Sequence, residues 1–319
     1  MKNLITCAFA FKEGYQTSMQ LNKVAGNDTR EMYLKNLFVA LVSAKKNNPE
    51  DDVVLSLNED ISDKWKRSFE KEGVKVRVMD FDSFVVPKEF PWSLAFFKMC
   101  VLYTFVKEGE YDNYLIMDAD TFTTRSYEDM WKEAAMGILL FPLGHTYSHS
   151  DRETIRKDFT KFYPDEAKKL PIVHYGGEFV LGNREDLRKY MDVCLEIFEK
   201  IEASGFKAEE KIGDESLWSI AAALLNGEIF FITGIPYIYR FWTGENFYLV
   251  SSVTSQNPVS IWHLPVEKET GIIRIYDYYR KKGKFPEVKK AQWLLGIVKF
   301  KRPFNYITFS NKVKGKLKR

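Results

Sequence analysis

The sequence predicts an α/β fold in which a mostly parallel sheet is flanked by helices on both faces. Apolar segments of strand length alternate with amphipathic segments of helix length over the first 80 residues. The chain has 319 residues, which is long enough for one large α/β domain or two smaller ones. Aromatic residues make up 15% of the composition, which favours a packed core over disorder.

The N-terminal segments follow the order strand, helix, strand, helix, strand. Segment 29–48 places Tyr33, Leu37 and Leu41 on one helical face, and Thr29 suits the N-cap position. Parallel strands need crossover connections, so this alternation predicts a parallel sheet covered on both faces. The predicted elements are strands at 2–11, 53–57 and 74–79 and helices at 29–48 and 61–71, with a polar loop at 12–28.

The central part of the chain continues this alternation and then changes in character. Residues 114–117 form a short apolar run that predicts a buried strand. Residues 143–169 are charged, and we interpret them as a surface excursion in which His145 and His149 are loop histidines. The other predicted elements are helices at 92–107, 127–135, 183–202 and 213–225 and strands at 137–141, 172–182, 228–233 and 260–263.

Two carboxylates follow the predicted strand at 114–117. Asp118 and Asp120 are separated by one residue, and in open α/β sheets this edge is where ligands bind. Residues i and i+2 of an extended segment point the same way, so both carboxylates can converge on one hard divalent cation. The alternative is a strand-end turn, because Asp is common in turns.

Two further segments carry acids in positions that suit a ligand site. Gly176 and Gly177 precede Glu178, and paired glycines let the backbone come close to a ligand, although a β-bulge with an edge glutamate has the same pattern. Asp214 and Glu215 begin a predicted helix, where acids are also favoured by the helix dipole.

Charge is distributed unevenly along the chain. The net charge is +3, but residues 280–319 contain 14 Lys and Arg and one acid, Glu287. This end of the chain therefore carries a charge of +13, and the preceding residues carry 3 − 13 = −10. Aromatic residues lie among these lysines, a pattern typical of an anchor on an anionic membrane surface. We therefore predict a domain at 1–280 and a basic, aromatic, membrane-associating tail at 281–319. The acidic body argues against nucleic-acid binding.

Cysteine usage and hydropathy predict the compartment. The three cysteines lie far apart without Cys-x-x-Cys spacing, which favours a reducing compartment and argues against a disulfide framework or a zinc site. No window reaches the length of a bilayer-spanning segment, and the N-terminal apolar run is too short for a signal peptide. We predict a cytoplasmic protein that is peripheral at the inner face of the membrane.

These segments, taken in order, resemble the GT-A-type, Rossmann-like fold of glycosyltransferases over about residues 2–268. The resemblance is strongest to family 8, which includes glycogenin and bacterial lipopolysaccharide galactosyl- and glucosyltransferases. Asp118-Ala119-Asp120 is similar to the family's Asp-x-Asp metal motif. His263 and Lys268 resemble the family's His with a nearby Lys, where the His completes the metal shell and the Lys meets the donor diphosphate.

The resemblance also implies roles for other residues. Lys98 falls where such enzymes carry a basic donor-binding residue, and Asp214-Glu215 falls where family 8 has an acidic pair close to the reacting sugar. The Gly-Gly-Glu that ends at Glu178 departs from family 8 and resembles inverting galactosyltransferases, in which Glu178 would be the base. The candidates for stacking on the donor base are Phe9, Phe11 and Tyr15.

The implied activity is transfer of a hexose from a nucleotide sugar, a UDP-hexose, to a saccharide or glycolipid acceptor with retention, in cell-surface polysaccharide or lipopolysaccharide synthesis. Asp118, Asp120 and His263 would hold Mn²⁺ or Mg²⁺. One alternative is a haloacid-dehalogenase-like phosphatase. Such enzymes also carry Asp-x-Asp at the end of a strand, but they require Thr or Val at the position that Phe122 occupies in this chain. The other is a non-catalytic protein whose basic tail binds membranes or nucleic acid.

Overall fold

A seven-stranded sheet forms the centre of the computed structural model, which describes residues 1–12, 29–90, 93–144, 149–207, 213–241 and 259–297. Its strands are β1 (Asn3–Phe9), β2 (Asp52–Leu57), β3 (Lys75–Val78), β4 (Asn113–Met117), β6 (Ile138–Pro142), β7 (Tyr175–Asn183) and β8 (Phe231–Thr233). They lie in the order β3-β2-β1-β4-β7-β6-β8. Neighbouring strands run parallel, except that β7 is antiparallel to both β4 and β6.

Helices cover both faces of this sheet because strand side chains alternate between the two faces. In β4, Tyr114 and Ile116 belong to one core cluster, whereas Leu115 and Met117 belong to the other. The first cluster includes residues of α3 (Phe97–Glu108), α5 (Ser150–Phe162), α7 (Arg184–Ala203) and α8 (Asp214–Leu224). The second includes residues of α1 (Thr29–Asn47), α2 (Asp63–Glu70) and α4 (Glu128–Ala134). The predicted α/β class, with a mostly parallel sheet flanked by helices, is confirmed.

A small second sheet lies beside the end of β4. It contains β5 (Thr121–Thr123), β9 (Ile238–Arg240) and β10 (Ile261–His263), in the order β5-β10-β9. The sequence predicted β10, within a strand at 260–263, but not the equally short β5 and β9. Three residues are too few for an alternating pattern to identify a strand reliably.

The charged segment after β6 differs from the surface excursion that was predicted. It forms α5 and the short α6 (Pro164–Ala167), and Ile155 and Phe159 of α5 are buried in the core. These two apolar residues are four apart, and the charged residues around them lie on the outer face except for the buried Asp158. His149 is the N-cap of α5, where its Nδ1 accepts a hydrogen bond from Asp151 N at 3.3 Å. His145 lies outside the described residues.

The C-terminal helices pack on the body of the protein. Helix α9 (Gly271–Lys282) runs across the predicted boundary at 280/281, and α10 (Val288–Leu294) follows it. Leu294 and Leu295 are buried in a third core cluster that contains Phe122 and Trp262. Residues 298–319, the most basic part of the predicted tail, lie outside the described residues. In the part of the chain that the structure describes, no helix is both long and apolar enough to cross a membrane.

The two sheets together decide which side chains meet at the end of β4. In the antiparallel pair β5–β10, His263 lies opposite Thr121, the residue after Asp120. In the parallel pair β9–β10, Arg240 lies opposite His263. On the other side, β7 brings Glu178 beside β4, where Asp118 N donates to Glu178 O at 3.1 Å.

Candidate active site

Asp118, Asp120 and His263 form a cluster at the carboxyl end of β4. One ligand atom from each residue lies within 4.8 Å of the others. His263 Nε2 is 3.4 Å from Asp120 Oδ2 and 3.7 Å from Asp118 Oδ2. Two carboxylates and one imidazole are a donor set that suits Mn²⁺ and other divalent cations. The structure thus brings together the three residues predicted to hold a metal, and their donor atoms suit a divalent cation.

The charges around the cluster hold its members in defined protonation states. Burial would raise the pKa of Asp120, but the nearby Lys268 and His263 lower this pKa well below the usual range. Burial also raises the pKa of Asp118, with Lys98 acting in the opposite direction. For His263, burial favours the neutral ring, yet the neighbouring Asp120 and Glu178 raise its pKa to about 9. The imidazole is therefore cationic at neutral pH and would have to lose a proton to bind a metal.

Lys98 bridges this cluster and the start of α8. Its Nζ lies 2.5 Å from Asp118 Oδ1 and donates to Asp214 Oδ2 at 3.0 Å and to Gly177 O at 2.5 Å. An ammonium group has three hydrogens, so these three acceptors use all of its donors. Lys98 thus connects two acids within the protein, and the contact with the nucleotide-sugar donor that the resemblance implies stays a prediction. Lys268 donates to Asp120 and, at 3.3 Å, to Pro265 O.

Glu178 is a fully buried carboxylate behind the metal cluster. It is 0% exposed, and Arg240 donates from Nε to Oε1 at 2.8 Å and from Nη2 to Oε2 at 2.5 Å. His263 Nδ1 lies 3.3 Å from the same Oε1. Burial favours the neutral acid, but Arg240 and His263 hold the pKa of Glu178 well below its usual range. Glu178 is thus paired within the protein, and its role as a general base stays a prediction.

Glu215 is more accessible, with a side chain 31% exposed. Its Oε1 accepts from Arg240 Nη2 at 3.0 Å and from Gly177 N at 3.2 Å, and its Oε2 lies 2.9 Å from His174 Nε2. Although burial raises the pKa of Glu215, the bonds from His174 and Arg240 lower it to about 2. This carboxylate is ionised at neutral pH and is partly exposed to solvent.

Two glycines of β7 leave space for these acids. A Cβ on Gly177 would overlap Asp214 Oδ2, and one on Gly176 would overlap Glu178 Oε2 and crowd Arg240. Packing between the strand and the carboxylates therefore accounts for the Gly-Gly-Glu pattern in physical terms.

Two of the three residues predicted to stack on a nucleobase, Phe9 and Phe11, lie at the end of β1, on the same sheet edge as Asp118. Phe9 is buried and stacks on Tyr33 with ring centroids 4.9 Å apart. Phe11 is partly exposed, and Asn58 fixes its backbone through bonds of 2.8 Å to N and 2.9 Å to O. Phe11 is therefore better placed than Phe9 to contact a ligand. Tyr15 lies outside the described residues.

Sequence reasoning missed Arg240 and His174 as site residues. Arg240 ends β9 within an aromatic segment, and only the pairing of β9 with β10 places it beside Glu178. His174 directly precedes the strand that carries Gly176 and Gly177, and this adjacency is the one signal by which it could have been found.

Comparison with known proteins gives a distant structural likeness. No protein-family model matches the chain, and no curated protein matches it. Among solved structures, it is similar to mouse xyloside xylosyltransferase 1 in its apo form, with a TM-score of 0.49 and 14% sequence identity. This likeness covers 82% of the present chain and 97% of the mouse chain. Values of this size do not identify an activity.

Proposed function

We propose that this protein is a metal-dependent glycosyltransferase that moves a hexose from a nucleotide sugar, a UDP-hexose, to a saccharide or lipid-linked saccharide acceptor. The observation that carries this proposal is the convergence of Asp118, Asp120 and His263 at the edge of an α/β sheet. Asp214 is connected to this cluster through Lys98, and Glu215 through Arg240 and Glu178. A cation site beside a separate carboxylate pair suits the departure of a diphosphate from a sugar.

Asp118, Asp120 and His263 are the residues that would hold Mn²⁺ or Mg²⁺. When bound, such an ion supplies Lewis-acid stabilisation of the negative charge that develops on a departing diphosphate. Lys268 contacts Asp120 and is the lysine we assign to the diphosphate, to which it would donate charge-assisted hydrogen bonds.

Asp214 and Glu215 are the acids that we assign to the sugar side of the site. The low pKa of Glu215, about 2, means that it carries a negative charge and no proton at neutral pH. An ionised carboxylate is suited to stabilise an oxocarbenium-like centre and not to donate a proton. The burial of Glu178 and its contacts with Arg240 argue against it as the base for inversion. These two features support transfer with retention.

We further propose a role at the membrane for residues 298–319, in the synthesis of a cell-surface polysaccharide or lipopolysaccharide at the cytoplasmic face. Support comes from composition, because the end of the chain combines aromatic residues with a large excess of Lys and Arg. The buried Leu294 and Leu295 assign the preceding helix α10 to the body instead.

Nucleotide-sugar binding tests the proposed function. Purified protein is screened for thermal stabilisation by nucleotide sugars with and without Mn²⁺, because a ligand that binds the folded state raises its stability. We expect stabilisation by UDP-hexoses that requires Mn²⁺, followed by slow release of UDP. Stabilisation by none of the nucleotide sugars, together with hydrolysis of para-nitrophenyl phosphate, would contradict the proposal and favour a phosphatase.

The affinity for Mn²⁺ is expected to increase with pH up to about pH 9. The pKa of His263 is raised to about 9, so below this pH the metal must displace a proton from the imidazole. Release of one proton makes affinity change about tenfold per pH unit. Titration calorimetry at pH 7 and 8, in buffers with different ionisation enthalpies, measures both the affinity and the released proton. An affinity that is constant between these pH values would contradict the expectation.

Gly177→Ala is expected to lower turnover by about 100-fold, because a displacement of about 1 Å at a reacting group can have this effect. The added Cβ would overlap Asp214 Oδ2 and force this acid away from Lys98. Steady-state kinetics with the preferred nucleotide sugar measure the loss. Gly144→Ala is the control, since a Cβ there meets no atom of the described residues within 4 Å. Equal turnover in the two variants would show that the close approach of Gly177 to Asp214 is unimportant.

A further inference from the structure

Arg240 contacts two acids that belong to different parts of the candidate site. Its guanidinium binds both oxygens of Glu178, and its Nη2 also donates to Glu215 Oε1 at 3.0 Å. Glu178 lies behind the proposed metal ligand His263, whereas Glu215 lies on the proposed sugar side. Arg240 is therefore a physical connection between the two sides of the site.

The pairing of strands β9 and β10 makes this connection rigid. Arg240 and His263 lie opposite each other in neighbouring parallel strands, and Phe241 N donates to His263 O at 2.8 Å. Glu178 projects from β7 between the two side chains, so that its Oε1 is 2.8 Å from Arg240 Nε and 3.3 Å from His263 Nδ1. With Nδ1 facing Glu178, the opposite ring nitrogen Nε2 points toward Asp118 and Asp120.

We infer that Arg240 and Glu178 are positioning residues for the proposed metal-dependent transfer, an inference that rests on the proposed function. Glu178 orients the imidazole of His263 so that Nε2 faces the metal position. Arg240 fixes Glu178 and, through its remaining hydrogen bond, also fixes Glu215. Partners of this kind behind a ligating histidine set its orientation, and their loss commonly weakens metal binding by about 10–100-fold.

An arginine is required at this position for a geometric reason. The planar guanidinium presents two parallel N–H groups to the two oxygens of Glu178 and a further N–H to Glu215. Lysine carries the same charge but has no fixed fork, so it cannot hold both oxygens of a carboxylate in one plane. Arg240→Lys therefore keeps the positive charge but removes the forked contact that positions Glu178.

Mn²⁺ titration of purified full-length variants tests the inference. We expect Glu178→Gln and Arg240→Lys to weaken Mn²⁺ binding by about 10–100-fold relative to wild type. Arg77→Lys is the matched control, because Arg77 makes a similar forked contact to Glu108, but on the edge strand β3. It is expected to bind Mn²⁺ as wild type does. Melting curves without metal establish that each variant is folded. If Arg240→Lys is not folded, the Mn²⁺ affinity of the near-isosteric Glu178→Gln tests the inference by itself.

Kinetics at saturating Mn²⁺ separate the two contacts of Arg240. Glu178→Gln is expected to recover most of its kcat when excess Mn²⁺ compensates for weaker binding. Arg240→Lys is expected to keep a reduced kcat, because Glu215 has also lost its partner. Wild-type Mn²⁺ affinity in folded Glu178→Gln and Arg240→Lys would overturn the inference while leaving the proposed function intact. If His263→Ala also binds Mn²⁺ as wild type does, the metal centre itself, and with it the proposed function, is overturned.

Discussion

Asp118→Asn is expected to reduce turnover by about 1,000-fold or more while the protein stays folded. Asparagine keeps the shape of the side chain and can still accept a hydrogen bond from Lys98, but it lacks the negative charge that attracts a cation. Lewis-acid stabilisation by a metal contributes several kcal/mol, and each 1.4 kcal/mol corresponds to about a factor of ten in rate. Lys98 also keeps Asp214 and Gly177 O as acceptors, so the replacement leaves no buried lysine without a partner.

Two measurements check this result. Calorimetry should show that Asp118→Asn loses most of its affinity for Mn²⁺, and kinetics should show loss of kcat at every Mn²⁺ concentration. Asp129→Asn is the matched control, because Asp129 lies on α4 with its side chain 80% exposed. Retention of metal-dependent turnover in Asp118→Asn would contradict the assignment of Asp118 as a metal ligand.

Lys98→Met is expected to cause the second large effect, on both stability and turnover. Lys98 is mostly buried between Asp118 and Asp214, and its removal leaves two acids facing each other without their shared cation. Breaking a buried ion pair by removing one partner costs about 3–5 kcal/mol. We expect the free energy of unfolding to fall by this amount and turnover to be lost, because Asp118 and Asp214 move apart. Added Mn²⁺ should restore part of the stability, since it supplies a cation to Asp118.

Urea denaturation with and without Mn²⁺ measures this effect. Lys107→Met is the control because Lys107 lies on the same helix, α3, and is exposed, with its Nζ 4.4 Å from the centroid of the Tyr103 ring. An unfolding free energy of Lys98→Met equal to that of Lys107→Met, with wild-type turnover, would show that Lys98 does not hold the two acids together.

The chemistry-bearing acids were visible in the sequence because each lies at the boundary of a periodic element. Asp118 and Asp120 follow an apolar strand, and Asp214 and Glu215 begin a helix, so their place at the sheet edge followed from local patterns. What each acid does was less visible. Glu178 follows two glycines, and Glu215 lies in the first turn of a helix. In the structure Glu178 is fully buried, whereas Glu215 is partly exposed.

Local periodicity thus determined the α/β class, most of the helices and strands, and the acids at the sheet edge. Only the tertiary structure decided that β10 pairs with both β5 and β9, and hence that His263 and Arg240 meet Asp120 and Glu178. The reason is physical. The hydrophobic periodicity of a segment depends only on residues that are adjacent in sequence. The pairing of short strands that are distant in sequence depends on backbone hydrogen bonds and burial, which form only once the chain has folded.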